Sequence, residues 1–523
     1  MAAQLKHLGV EVIFGLPGDQ LMGLLDGLWH EPDIRFVTTR HEQGTTYLAD
    51  GYARATGKPG VALVVPGVGV YNAAAGLATA YATSSPVLFL AGQVNRAGIG
   101  AGLGLLHDVH DQLEVVRPIT KWAARVTEAA DLNGVLADAW RELGTGRGRP
   151  VHVEAPPEAF LDEIDRLVLV DAAVPEPEGA DPDAVAAAAA LLAGASEPLV
   201  IVGGGVSLAD ASAELTAVAE HLQAAVLTTR EGKGGIDDRH PMSVGTMWVN
   251  RRLRPTLDAA DVVLAVGTRL QGFGFAEHQR IIHLDVDPTE IGKQVPNTTA
   301  LVGHARPTLG ALLDELRRIS DPAASRAAER QEARRRCEEE LDAVGPQFQW
   351  VQWLREGIPE DAITVVGTTT MGYACHMRFP VYQPRSYLGS SYMGTLGFAF
   401  PCALGAKVGC PDRPVVSIIG DGGFLFAATE LATAVQHDIG VVTLVFDDGA
   451  YGNSNRDQHE KFGGHELGTV LRNPDFVAFA QSFGADGVRV DDPSALPTVI
   501  PEAIASGRPT VIHVPMERLP NPF

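Results

Sequence analysis

One short pattern recurs along the chain: a run of β-branched residues, a glycine-rich turn, then a helical stretch. The runs fall at Val61–Val65, Val87–Ala91, Leu199–Val202, Val262–Val266, Ile281–Leu284, Val415–Ile419 and Val441–Phe446. Helical stretches separate them, so neighbouring strands connect by crossovers, which predicts parallel βαβ units rather than hairpins. Two segments interrupt the rhythm. Residues 170–182 are Pro, Asp, Glu and Ala without periodicity, a linker composition. Residues 321–342 are charged, Ala-rich and helix-prone, which predicts a solvated connecting helix. The expectation is three α/β domains of doubly wound parallel sheet, at 1–165, 183–318 and 345–523. At 523 residues the chain is too long for a single core.

Composition narrows the function. An apolar fraction of 46% with 20% charged residues belongs to a compact folded chain and excludes disorder or coiled coil. A net charge of −23 repels phosphate backbones and anionic lipid, so neither a nucleic acid nor a membrane is an expected partner. A small anion in a locally built pocket stays allowed. The four cysteines, Cys337, Cys375, Cys402 and Cys410, have no metal-ligand spacing and point to a reduced compartment. The N-terminal residues lack a signal-peptide pattern, and the longest apolar run, Val185–Ala195, reads as an ordinary helix. A cytoplasmic protein is expected.

The strongest local signal is the βαβ unit that carries Gly420-Asp421-Gly422-Gly423 after one strand and Asp447-Asp448-Gly449-Ala450 after the next, with one helix through Leu431 and Val435 between them. In an open parallel sheet the carboxyl ends of strands and the helix N-terminus between them form the ligand crevice. Glycines let the main chain approach a bulky anion. Asp421 and Asp448, one βαβ repeat apart, would lie side by side, the oxygen set that Mg²⁺ shares with a phosphorylated ligand.

This pair of motifs resembles the fingerprint of thiamine diphosphate (ThDP) enzymes, and the chain is similar to their acetolactate synthase and 2-oxo acid decarboxylase branch. Further motifs follow in the family's order along essentially the whole chain: Phe14-Gly15-Leu16-Pro17-Gly18, Arg40-His41-Glu42-Gln43 with Ala49–Arg54, Pro66-Gly67 with Asn72, His283–Pro288, and Gly394-Thr395-Leu396-Gly397-Phe398. The resemblance implies a pyrimidine-binding, a middle and a diphosphate-binding domain. It implies ThDP and Mg²⁺ as cofactors, with Asp421, Asp448 and the Ala450 carbonyl on the metal. Gly420, Gly422, Gly423, Thr368 and Thr369 would lie at the diphosphate, Pro66 and Asn72 near the pyrimidine, and Gly394 and Leu396 under the bend of the cofactor. Glu42 would share a proton with the aminopyrimidine ring, the step that activates the thiazolium carbon. Asp448 stands where the family usually has Asn. The polar run of FAD-containing acetolactate synthases is replaced here by Thr268–Phe275, TRLQGFGF, so FAD is not expected; Gly203-Gly204-Gly205 reads as a helix-packing turn.

Substrate choice would rest on Asp19 and on Leu106–Gln112, where His107, Asp108 and His110 supply titratable groups. This stretch matches neither the decarboxylase nor the acetolactate synthase template. The implied reaction is decarboxylation of a small 2-oxo acid, with release of an aldehyde or ligation of the enamine to a second carbonyl. A C–C lyase acting on an acyl-CoA or hydroxy-ketone is the alternative within enzymes, and a catalytically silent ThDP-binding regulatory relative the alternative outside them. Since family sites lie between subunits, a homodimer or homotetramer is implied.

Overall fold

The computed structural model describes residues 1–296 and 298–523. Three six-stranded sheets, all parallel, succeed one another along the chain. The first holds β1 (Val12–Gly15), β2 (Arg35–Thr38), β3 (Gly60–Val64), β4 (Val87–Gly92), β5 (Trp122–Arg125) and β6 (Val151–Ala155) in the order β2-β1-β3-β4-β6-β5. The second holds β7 (Pro198–Val202), β8 (Ala225–Thr228), β9 (Ser243–Thr246), β10 (Val262–Val266), β11 (Arg280–Asp285) and β12 (Thr299–Val302) in the order β12-β11-β10-β7-β8-β9. The third holds β13 (Ile363–Val366), β14 (Tyr387–Gly389), β15 (Val415–Gly420), β16 (Val442–Asp447), β17 (Asp486–Arg489) and β18 (Thr510–Pro515) in the order β14-β13-β15-β16-β18-β17. The first and third sheets thus share one strand order, while the second has the dinucleotide-type 3-2-1-4-5-6 order. In each sheet the winding direction reverses between two central strands, opening a crevice at their carboxyl ends. Those strands are β1 and β3, β7 and β10, and β13 and β15.

All seven strand runs expected from the sequence form strands, within a residue or two at their ends. The strands not anticipated include β2, β5, β9, β12, β14 and β17, which lie at or next to a sheet edge and lack a continuous apolar run. Arg35–Thr38, for example, reads exposed, half-buried, buried, half-buried. The linker reading of 170–182 fits a stretch without helix or strand up to the helix Pro182–Ala193. The connecting helix begins only at Ala327 and runs to Asp342; it is largely exposed but buries Arg330, Cys337 and Leu341. One expectation is corrected: no single helix joins Asp421 to Val435. A short helix, Asp421–Leu425, breaks at Phe426 and Ala427, and a second runs from Leu431 to Gln436. The break leaves Phe426 56% exposed, an apolar ring facing outward beside the crevice.

The first and third sheets are joined by one continuous apolar core. Tyr47 and Leu48 from the helix Glu42–Thr56 meet Phe398, Phe400 and Leu404 around the helix Ala399–Gly409. Tyr47 and Phe398 pack edge to face with ring centres 5.6 Å apart. Glycine sets this seam. A Cβ on Gly51 would lie 1.9 Å from the Cys402 carbonyl oxygen, and one on Gly405 1.9 Å from that of Leu48. The two helices therefore touch main chain to main chain.

Candidate active site

The Glu42 end is built by helix initiation. His41 is extended and its Nδ1 accepts from the Gln43 amide at 3.1 Å, so Glu42 opens the helix with its side chain buried. Its Oε2 accepts from Asn72 Nδ2 at 3.0 Å. Asn72 reaches it because the helix Val68–Thr83 approaches closely at Gly76, where a Cβ would lie 2.1 Å from Thr46 Oγ1. From the third sheet's side, the buried Glu430 accepts the amides of Arg40 (3.1 Å) and His41 (3.0 Å) and the Thr433 hydroxyl at 2.5 Å. Burial pushes the Glu430 carboxyl up against the pull of those donors.

The turns after β1 and β3 meet at the first sheet's switch point. Gly67, at φ +57°, has room for no side chain, since a Cβ would lie 2.3 Å from the His107 carbonyl oxygen. Its amide donates to Gln112 Oε1 at 2.8 Å, and Gln112 Nε2 donates to the buried Glu154 at 2.7 Å. Pro66 is buried within the same turn. The substrate residues expected from the sequence are brought to this neighbourhood in unequal ways. His107 Nδ1 bonds to Gln20 Oε1 at 3.2 Å, next to Asp19, and Gln20 Nε2 donates to the Leu106 carbonyl at 3.2 Å. Asp108 holds its own loop, accepting from the Gly104 amide at 3.1 Å. Asp19 and His110 are exposed.

The Asp421 end sits at the third sheet's switch point, with β15 and β16 in register at Gly420 and Phe446. Glycine clears the floor of this crevice. A Cβ on Gly420 would lie 2.7 Å from Thr369 Oγ1, and one on Gly422 2.7 Å from the Tyr451 ring. Leu396 stands over Gly423, its Cδ2 3.9 Å from where that Cβ would be. Gly394 adopts φ +58°, which lets the segment turn toward the helix Ala399–Gly409. Thr368 Oγ1 lies 3.3 Å from Ser390 Oγ. Thr369 holds the cap position of the helix Thr370–Arg378, yet its side chain makes no capping bond.

Three carboxylates crowd here. Asn473, which the sequence reading passed over, donates from Nδ2 to Asp421 Oδ2 (2.6 Å) and to Asp447 Oδ1 (2.7 Å). Burial, with the charges of Asp448 and Asp447, pushes the Asp421 carboxyl up to about 7. Burial likewise raises Asp448. Asp447 is half-buried, but its bonds to His513 (2.9 Å), the Gly449 amide (3.0 Å) and Asn473 outweigh the effect of burial and hold it low. A bridge between Ala450 and Val470 uses the Gly449 carbonyl and the Tyr451 amide, and the Ala450 carbonyl receives no donor among the described residues.

These features fit the implied groups. Two destabilised carboxylates and a free carbonyl are a hard-cation donor set, and a glycine-cleared helix start is a cradle for a phosphorylated tail. The signal for Asn473 was present in Asn473-Pro474-Asp475, a turn-forming triplet, but its partners lie far away in sequence. Glu430 carried no motif. No hydrogen bond joins the Glu42 cluster to the three aspartates within the chain, among the described residues.

Comparison with known proteins identifies the family. Three family models match in order: the thiamine pyrophosphate enzyme N-terminal TPP binding domain over residues 1–115, its central domain over 185–312 and its C-terminal TPP binding domain over 365–514. A probable 2-ketoarginine decarboxylase of Pseudomonas aeruginosa is 36% identical, across 92% of this chain and 87% of its own. A probable acetolactate synthase large subunit of Methanocaldococcus jannaschii is 34% identical, across 99% and 91%. The acetolactate synthase large subunit of Parasynechococcus marenigrum is 32% identical, across 99% and 87%. Nothing in these relatives supports the silent regulatory alternative. No helix among the described residues is long and apolar enough to cross a membrane. The chain belongs to the thiamine pyrophosphate enzyme family, as a ThDP-dependent enzyme of its acetolactate synthase and decarboxylase group.

Proposed function

We propose that this enzyme decarboxylates a small 2-oxo acid with ThDP and Mg²⁺, releasing an aldehyde or ligating the decarboxylated fragment to a second carbonyl. The observation that carries the reading is the pairing of two unlike carboxyl sites, Glu42 with a single neutral partner and Asp421 among like charges. When bound, ThDP supplies a nucleophilic carbon and an electron sink that no side chain provides.

Asp421, Asp448 and the Ala450 carbonyl would hold Mg²⁺, whose charge removes the repulsion among the aspartates. Gly420, Gly422 and Gly423, with Thr368 and Thr369, would seat the diphosphate. Leu396, standing over Gly423, would support the bent cofactor, with Gly394 turning its segment. Glu42, in its dry pocket, would share a proton at its carboxyl oxygen with the aminopyrimidine ring, while Asn72 fixes the carboxyl plane. Pro66 and Gly67 would line the pyrimidine side. His107, paired with Gln20, would handle the substrate carboxylate, with Asp19 and His110 exposed nearby and Asp108 shaping the loop. Glu42 and Asp421 would serve opposite ends of one cofactor, and the family resemblance supports their coming from different protomers, in a homodimer or homotetramer. The apolar residues left exposed beside the crevices, among them Tyr71, Tyr392 and Phe426, fit such an interface.

The test is a panel of 2-oxo acids with ThDP and Mg²⁺, following CO₂ and product structure. CO₂ release that needs both cofactors is the expected outcome. Turnover of hydroxy-ketones or acyl-CoA with no CO₂ from any 2-oxo acid would replace this reading with the lyase.

A further inference from the structure

A cavity of about 1320 Å³ opens where the middle sheet meets the other two. Thr368, Ser391 and Gly394 line one side and Arg230, Trp248 and Tyr373 another. Several arginines reach it, and most are spent on protein. Arg147 pairs with Asp285 at 2.6 Å, Arg254 with Asp258 at 2.5 Å and Arg385 with Asp210 at 3.0 Å, while Arg269 donates to the Ala82 carbonyl at 3.0 Å.

Arg230 differs. Its Nε donates to Glu231 Oε1 at 2.8 Å, and its guanidinium carbon lies 4.9 Å from the ring centre of Trp248. Trp248 is itself held, stacked on Tyr373 with ring centres 5.7 Å apart. A Cβ on Gly389 would lie 3.7 Å from Arg230 Cδ and 3.9 Å from Nε, ordinary contact distances, so the Gly389 main chain runs alongside the stem. One edge and one face of the guanidinium are thus fixed. The residue is 8% exposed, and among the described residues neither Nη has an acceptor. Glu231 balances the charge from the Nε side, and the Nη edge, left to the cavity, matches the two oxygens of a carboxylate.

Its position ties it to the site. Gly389 ends β14 and pairs with Val366 on β13, and β13 leads directly to Thr368 and Thr369. The two strands are about 4.8 Å apart. We propose that Arg230, held flat on Trp248, binds a second, distal carboxylate of the substrate, making dicarboxylic 2-oxo acids the preferred class. This rests on the reading that the site acts on 2-oxo acids. A cationic chain end would face the guanidinium as a like charge, and a neutral one would leave its Nη edge unpaired.

The assembled enzyme, saturated with ThDP and Mg²⁺, would be assayed on 2-oxoglutarate, 2-oxopentanoate and 5-guanidino-2-oxopentanoate. The dicarboxylic acid is expected to have the highest kcat/KM. Arg230→Gln should lower its advantage over the neutral acid about 30-fold, and Arg230→Lys, which keeps the charge but not the fork, should restore part of it. A preference for the neutral or the cationic acid overturns the proposal, as does an equal loss on all three in Arg230→Gln. Weaker ThDP binding in Arg230→Gln with an unchanged substrate ratio assigns the guanidinium to the cofactor's phosphates and overturns it as well. Glutarate, which has no 2-oxo group, separates this from failure of the decarboxylase reading. By calorimetry it should bind the wild type and bind Arg230→Gln about 30-fold more weakly even if no acid releases CO₂; a wild type that does not bind glutarate overturns the proposal.

Discussion

The two ends of the site solve opposite electrostatic problems. At Glu42 one buried carboxyl meets one neutral amide, Asn72, and the surrounding donors are spent on Glu430 instead. At Asp421 three carboxylates share one crevice, with a single amide, Asn473, bonded to two of them. The first arrangement is complete without a ligand. The second is strained by its own charges, and a divalent cation is what relieves it. A proton relay wants the first and a metal anchor wants the second.

The contrast is broken most severely by Glu42→Gln, which keeps shape and hydrogen-bonding capacity but removes the shared proton. We expect kcat to fall about 10³-fold with ThDP and Mg²⁺ affinity within a few-fold of wild type, read from steady-state rates and calorimetry. Asp421→Asn should do the reverse, weakening Mg²⁺-dependent ThDP binding about 100-fold while raising the melting temperature of the cofactor-free protein, because one of the crowded charges is gone. Loss of both function and apo stability would show that the aspartates are not in conflict. Asn473→Leu, which strips the bridging donor but no charge, should weaken Mg²⁺ about 10-fold in the same titration.

The smallest effect concerns the contact between the two ends. His437 Nε2 accepts from the Thr38 amide at 2.9 Å, so that bond needs the ring neutral at this nitrogen. Burial first, then Arg35, holds the ring below the ordinary histidine value of 6.5. The unfolded chain therefore binds the proton more readily, and the stability this group contributes is present above pH 6.5 and is lost as pH falls through the folded value. Urea unfolding should show that decline, and His437→Gln should flatten it. An unchanged slope in the variant would remove His437 from the account.

What was readable in the sequence follows from distance along the chain. Gly420–Gly423 and Asp447–Ala450 carry their meaning within a few residues of strand ends, and the structure sets them side by side because β15 and β16 are neighbours. The central strands were legible for the same reason, as local apolar runs. Asn473 and Glu430 were not, because each acts on groups that only the tertiary fold brings within reach, Asp421 in one case and the amides of Arg40 and His41 in the other. The break after Leu425 hid behind residues that are all compatible with helix. The substrate residues fall between these extremes. The segments of Asp19 and His107 do meet, through Gln20, but Asp108 spends its carboxylate on its own loop.

The glycine seam between the Glu42 helix and the Ala399–Gly409 helix has a mechanical consequence. With Gly51 and Gly405 each leaving no space for even a methyl group, any larger residue at either position would force the first and third sheets apart along that line. A Cβ on Gly234 would likewise lie 2.3 Å from the Gln383 carbonyl oxygen, so the middle domain is fastened to the third by the same device.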